Sequence, residues 1–176
     1  YALEIAEQQY RIAQRGAETA SRPIRFRIAE GLGDVLMLRG RYAAAEELFE
    51  QAAALADGQV AEAQVLGMLG ELSRQRGDMG HAVQHLEHAL MALGYRVPRS
   101  AAAVVVRAGW EIAVQLLHTI LPTLFVHRRR RKPSDVDLLG VRLFCKLAHG
   151  YWFTRSRVAT LWSQLRGMNL AERHAP

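Results

Sequence analysis

Cysteine is nearly absent. Cys145 stands alone among 176 residues, so no disulfide framework can form within one chain, and the composition suits a reducing compartment. The single thiol lies in an apolar run beside Phe144 and Leu147 and reads as a small core residue. Proline is scarce, at five residues, while alanine, leucine, arginine and glutamate are common, a balance that favours helix. Signatures of catalysis are missing too. There is no G-x-x-x-x-G-K-[ST], so no P-loop, and no G-x-S-x-G, H-E-x-x-H or C-x-x-C. Gly31-Leu32-Gly33 and Gly67-Met68-Leu69-Gly70 lie inside helical stretches with no strand before them, which argues against a dinucleotide loop. The chain therefore reads as a non-enzyme that calls for no cofactor. It opens on Tyr1 with no signal peptide before it, and the expectation is a piece of a larger cytoplasmic protein.

What is present is an ordinary soluble balance, 50% apolar and 23% charged, with charge unevenly placed. Residues 1–97 hold 10 Lys+Arg against 13 Asp+Glu, and residues 98–176 hold 13 against 4. The acidic first part and the basic second part should prefer different partners.

A repeat appears before any other motif. Gly33-Asp34-Val35-Leu36-Met37-Leu38-Arg39-Gly40 is followed by Ala45, Phe49 and Ala52; Gly70-Glu71-Leu72-Ser73-Arg74-Gln75-Arg76-Gly77 is followed by Ala82, Leu86 and Ala89. The offset is 37 throughout, and Ala6, Tyr10 and Ala13 form an incomplete copy upstream. A fixed period of this size points to stacked helical hairpins. Gly33 and Gly70 on the first helix of a hairpin admit the second helix closely, and Gly40 and Gly77 make the turns. Ala45, Phe49 and Ala52 form one packing stripe, flanked by Glu46, Glu47 and Glu50 facing water.

On these residues, positions 1–95 resemble the tetratricopeptide repeat family. Two features depart from its pattern: Ala29 and Leu66 stand where a tryptophan is usual, and the period of 37 exceeds the usual one, which predicts a longer loop near Ala56 to Val60. The helices are predicted at 2–20, 23–39, 42–56, 60–76, 79–94, 100–121, 134–150 and 155–172, with Ser134 as an N-cap. The resemblance implies an all-α, right-handed superhelical array of antiparallel hairpins. It also implies a groove lined by first helices, which makes Arg25, Glu30, Asp34, Met37, Glu71, Arg74 and Gln75 the candidate contacts for a protein partner or for other domains of the parent chain.

Residues 96–133 form a second segment, an apolar helix and a basic loop. Arg107, Glu111, Gln115 and His118 interrupt the apolar run at spacings of four, four and three and make one polar stripe. Such a stripe argues for a buried or surface-lying helix over a membrane-spanning one. Arg128, Arg129, Arg130, Arg131 and Lys132 follow. They read first as a solvated loop and second as a contact for an anionic membrane surface, which would make the protein membrane-peripheral. Nucleic acid is a poor fit, because no reading motif accompanies the charge.

The third segment, 134–176, is a further hairpin of the same array, with Tyr151-Trp152-Phe153 packed in its core. Together with Leu161-Trp162, the stretch Leu165 to Arg173, the apolar helix and the arginine run, it resembles the C-terminal helical region of large bacterial signalling proteins. Those proteins join an adenylate/guanylate cyclase or kinase domain to an AAA-type ATPase and then to tetratricopeptide repeats. The resemblance implies that catalytic parts lie elsewhere in the parent. His81, His85 and His88 share one side of a helix in a geometry that suits zinc or nickel, but they read as a surface histidine row rather than a metal site. Two further readings remain open at this point: a peripheral membrane module, and the repeat domain of a transcription regulator.

Overall fold

The computed structural model describes residues 1–120 and 132–173. Among the described residues there are eight α-helices and no strand: α1 (Ala2–Gly16), α2 (Arg22–Leu38), α3 (Tyr42–Leu55), α4 (Gln59–Gln75), α5 (Met79–Ala92), α6 (Ala101–Ile120), α7 (Asp135–Thr154) and α8 (Arg157–Ala171). This is an all-α helical repeat array. The 37-residue offset holds to the residue: α2 and α4 begin and end 37 apart, and so do α3 and α5. Three residues, 56–58, join α3 to α4, so the expected longer loop does not exist. The period is long because the first helices run to 17 residues and the second to 14.

The hairpin turns follow from glycine. After α2, the Gly40 N–H donates to Met37 O (3.0 Å) and the Arg41 N–H to Leu36 O (2.9 Å). Gly77 and Asp78 repeat this on Arg74 and Ser73, and Gly94 and Tyr95 on Met91 and Leu90. These paired bonds satisfy carbonyls that a helix end otherwise leaves open. They require a left-handed residue, which Gly40 (φ 74°), Gly77 (φ 82°) and Gly94 (φ 83°) supply. At other helix starts hydroxyls do the capping: Ser134 Oγ accepts from the Asp137 N–H and Ser156 Oγ from the Ala159 N–H, both at 3.2 Å.

The contacts divide the chain into two compact units, Tyr1–His85 and Leu86–Pro176, with the boundary inside α5. In the first unit α1 packs on α2, α2 on α3 and α3 on α4. One core cluster gathers Leu32, Leu36, Met37, Leu48, Phe49 and Leu72, with Tyr10 packed on its rim; a second gathers Phe26, Ala29, Ala52 and Val65. Gly33 lies under the Phe49 ring and Gly31 under the Tyr10 ring, each so close that a β-carbon would fall 2.4 Å from a ring atom. Ion pairs recur between hairpins. Glu7, buried on α1, is held by Arg39 and Arg41 of the first turn and by Arg11, and Glu46 pairs with Arg76 of the next turn at 2.7 Å. Arg39 and Arg76 are 37 apart, and Glu7 and Glu46 share the 39-residue offset that aligns Tyr10 with Phe49. The next acid position would be Val83, which is buried, so the series of ion pairs ends there.

In the second unit α7 packs on α8 and α8 on α6. Trp162 and Phe144 meet edge-on at 5.9 Å, and Tyr95 meets Phe144 at 5.4 Å. The Tyr151 hydroxyl donates to Glu87 at 2.7 Å, and Arg155 both pairs with Glu87 and stacks over the Tyr151 ring. Three expectations are corrected here. Cys145 is exposed, because it lies off the Leu143–Phe144–Leu147 face of α7. Trp152 and Phe153 are also exposed, and of that aromatic triplet only Tyr151 enters the core. Consecutive residues on a helix diverge by about 100°, so three neighbours cannot share one buried face.

Candidate protein-binding groove

The two first helices, α2 and α4, present side chains at helical spacing along their shared side. Near its N-terminal end this side opens into a cavity of about 630 Å³, walled by Pro23, Phe26, Arg27 and Glu30 from α2 and by Ala61 and Gln64 from α4, with Leu55 and Asp57 at the connecting turn. Positions 23, 26, 27 and 30 follow the i, i+3, i+4, i+7 rule for one helix face, and Arg27 and Gln64 hold the same place in consecutive hairpins. The cavity mixes an aromatic floor with charged walls, which suits a peptide segment presenting an apolar anchor and polar flanks.

Arg22 fixes the mouth of this cavity. Its guanidinium donates to three carbonyls at the end of α3, Leu55 (2.9 Å), Ala56 (3.0 Å) and Ala54 (3.1 Å). A helix C-terminus carries partial negative charge and open carbonyls, so a cation there both caps α3 and ties it to the start of α2.

The candidate contacts fall in several places. Glu30 lines the cavity and accepts a hydrogen bond from Gln64, linking α2 to α4. Glu71, Arg74 and Gln75 form one cluster further along α4. Arg74 pairs with Glu71, and Gln75 reaches the same carboxylate at 3.4 Å. The hydrogen bond from Arg74 to Glu71 raises the Arg74 pKa above its ordinary value. Asp34 is half-buried on α2. Arg25 lies elsewhere, on a separate cavity of about 390 Å³ with Gln14 and Glu18 near the end of α1 and Gln51 on α3. Met37 is a correction: it is buried in the main core cluster with Leu36 and Leu72. It sits one residue from the exposed Leu38, and the sequence pattern alone did not separate the two. Phe26, Arg27, Asp57 and Gln64 also line the cavity without having been among the candidate contacts; the 23-26-27-30 spacing points to Phe26 and Arg27, and the 37-residue offset from Arg27 to Gln64.

Among the described residues no group of three or more histidine, cysteine or acidic side chains is placed to hold a metal. His81 belongs to the cap of α5: its backbone N–H donates to Asp78 Oδ1 at 3.0 Å and its ring meets Asp78 Oδ2 at 2.6 Å. Both contacts favour the carboxylate and lower the Asp78 pKa. His85 is half-buried and His88 exposed. Of the basic run, Lys132 is exposed, and Arg128 to Arg131 lie outside the described residues.

Residues 25–92 match the family model of the tetratricopeptide repeat. The match runs from the first turn of α2 to the last residue of α5, so it covers two hairpins but for the first three residues of α2, and contains most of the α2–α4 groove. Tetratricopeptide repeats serve as protein-interaction modules and are typically non-catalytic. No curated protein and no solved structure matches the chain.

Proposed function

We propose that this chain is the protein-binding, regulatory repeat module of a larger bacterial signalling protein. In this reading the α2–α4 groove takes a segment of a partner or of the parent's own cyclase, kinase or ATPase part. The observation that carries it is the cavity between first helices of two matched repeats, where Phe26 supplies an apolar floor and Arg27, Glu30 and Asp57 supply charged walls. Binding there would couple to a distant catalytic domain only through differential affinity for its two states. The wider parent rests on the resemblance of the 151–173 region taken with the apolar helix and the arginine run. Sequencing the reading frame on both sides tests it first: a Walker-type ATPase motif with a cyclase or kinase domain upstream supports the assignment, and a DNA-binding domain at one end replaces it with a transcription regulator. The groove is then tested in the parent with Arg27→Glu and Gln64→Arg. Loss of the regulated response at unchanged basal activity supports the site. A full partner response after deletion of residues 1–176 overturns the function.

A further inference from the structure

Helix α6 is turned inside out relative to an ordinary surface helix. Its polar stripe faces the protein. Glu111 is buried; Asn169 of α8 donates to its Oε2 at 2.7 Å and to its backbone carbonyl at 3.0 Å, while Arg166 reaches Oε1 at 3.3 Å. One turn on, Gln115 donates to Glu172 at 3.0 Å and His118 meets the other Glu172 oxygen at 2.7 Å. Glu111, Gln115 and His118 of the stripe are spent on α8 and its C-cap residue Glu172, and the apolar side is left outward: Val106 is 72% exposed, Ile120 71% and Trp110 68%, with Val105, Leu116 and Leu117 beside them. A contiguous face of this kind marks an interaction surface.

Charge identifies what covers it. Between Glu87 and Asp135 the sequence holds one acid, Glu111, and eight Lys/Arg: Arg96, Arg99, Arg107 and the run Arg128 to Lys132. Glu111, the one acid of this stretch of sequence, is buried and bonded to α8, so the segment's formal charge is strongly positive. An apolar helix face flanked in the sequence by an excess of cations fits an anionic bilayer, where lipid tails take the apolar side chains and headgroups take basic side chains. A second copy of the chain fits less well, because a two-fold contact sets each patch against itself and brings the two basic segments together. The helix is long and apolar enough to cross a membrane, with a mean hydropathy of 1.2. Crossing would carry Arg107 and Glu111 into hydrocarbon and break every bond from the stripe to α8.

We infer that α6 is a membrane-surface helix, lying along an anionic lipid bilayer with its Val106–Trp110–Ile120 face in the interface and its polar stripe held by α8. The inference stands apart from the groove reading, and its readout is vesicle binding rather than partner binding, so the two fail separately. The 176-residue chain is sedimented with phosphatidylcholine vesicles with and without phosphatidylserine. The expected result is binding that requires phosphatidylserine, weakens with salt, and falls at least about tenfold in both Trp110→Glu and Leu116→Glu, with helical circular dichroism unchanged. Leu38→Glu, at an exposed leucine of α2, leaves binding unchanged. A second measurement leaves the fold untouched: brominated lipids quench wild-type tryptophan emission, and Trp110→Phe removes most of that quenching. Binding that survives both glutamates shows adsorption by the cationic run alone and overturns the inference. No vesicle binding overturns it as well. If poly-glutamate is then retained, the surface belongs to an acidic protein; if a dimer is found that Trp110→Glu dissociates, it belongs to a second copy.

Discussion

Substituting Gly33 by alanine should destabilise the wild-type protein and stabilise a variant in which Phe49 is leucine. In an unconstrained helix interior, alanine is better than glycine by about 1 kcal/mol. Here the added methyl would stand 2.4 Å from Phe49 Cε1 and 2.8 Å from Cδ1, well inside a normal carbon–carbon contact of about 3.5–4.0 Å. Phe49 is fully enclosed among Leu32, Leu36, Leu48 and Leu72, so its ring has no room to swing away. Overpacking of this kind costs roughly 1–3 kcal/mol. Taking the upper end for so short a contact and subtracting the propensity gain leaves a net loss of about 2 kcal/mol. For a unit of this size that lowers Tm by roughly 8–16 °C. Phe49→Leu alone loses roughly 1–2 kcal/mol of packing, but it removes the ring edge that the methyl meets. In that background Gly33→Ala should therefore stabilise by up to about 1 kcal/mol, a coupling of about 3 kcal/mol. Urea unfolding followed at the helical circular dichroism band measures all four corners of the cycle. Tryptophan emission in buffer checks that the second unit stays native, since Trp110, Trp152 and Trp162 all lie beyond residue 85. Additivity within about 0.5 kcal/mol, or a stabilising Gly33→Ala in the wild type, would refute the close approach of α3 to α2 at this glycine.

Three further outcomes are expected. Gly40→Ala and Gly77→Ala should each cost roughly 1–2 kcal/mol in chemical denaturation, because both glycines hold a left-handed conformation that a β-carbon opposes, and the asparagine variants should cost less. Glu7→Gln should lose roughly 1 kcal/mol at neutral pH. The hydrogen bond from Arg11, reinforced by Arg39 and Arg41, holds the Glu7 pKa below its usual range, so its contribution is full above the unfolded pKa of about 4.3 and fades as pH falls through the lower folded value; acid unfolding curves of wild type and variant should converge at the acid end. On the alkaline side, burial and Asp137 push the Tyr95 pKa up to about 12, and burial with Glu87 raises that of Tyr151 further. The folded state then keeps protons that the unfolded chain releases near pH 10, and its stability falls as pH rises above about 10. Tyr95→Phe and Tyr151→Phe should each flatten that alkaline loss, read by tryptophan emission.

Much of the first unit could be read along the chain. The 37-residue offset carried the helix boundaries because each boundary is set locally: Gly40 and Gly77 end helices by a backbone geometry that needs no distant partner, just as Ser134 in the second unit begins one by bonding a residue three positions away. The core stripe of Ala45, Phe49 and Ala52 was legible for the same reason, since helical spacing alone puts those side chains on one face. The groove was only half legible. Repeat position singled out Glu30 and the Glu71–Arg74–Gln75 cluster, yet Met37 and Leu38 differ by one residue, and only the packing of α3 and α4 decides which of them is core.

The sequence by itself determined that the chain is helical and repeats with a period of 37, and that its second part is basic, because propensity, glycine placement and charge are properties of the chain read in order. Which way each amphipathic helix turns was decided only in three dimensions. The polar stripe of α6 was plain in the sequence, but a stripe does not say whether water or protein faces it. Asn169, Arg166 and Glu172, more than fifty residues away, draw it inward and leave Trp110 outside. The inter-hairpin ion pairs had the same character. Glu7, Arg39 and Arg41 were ordinary surface charges until α1 docked on α2, because the energy that pairs them exists only once the fold brings them together.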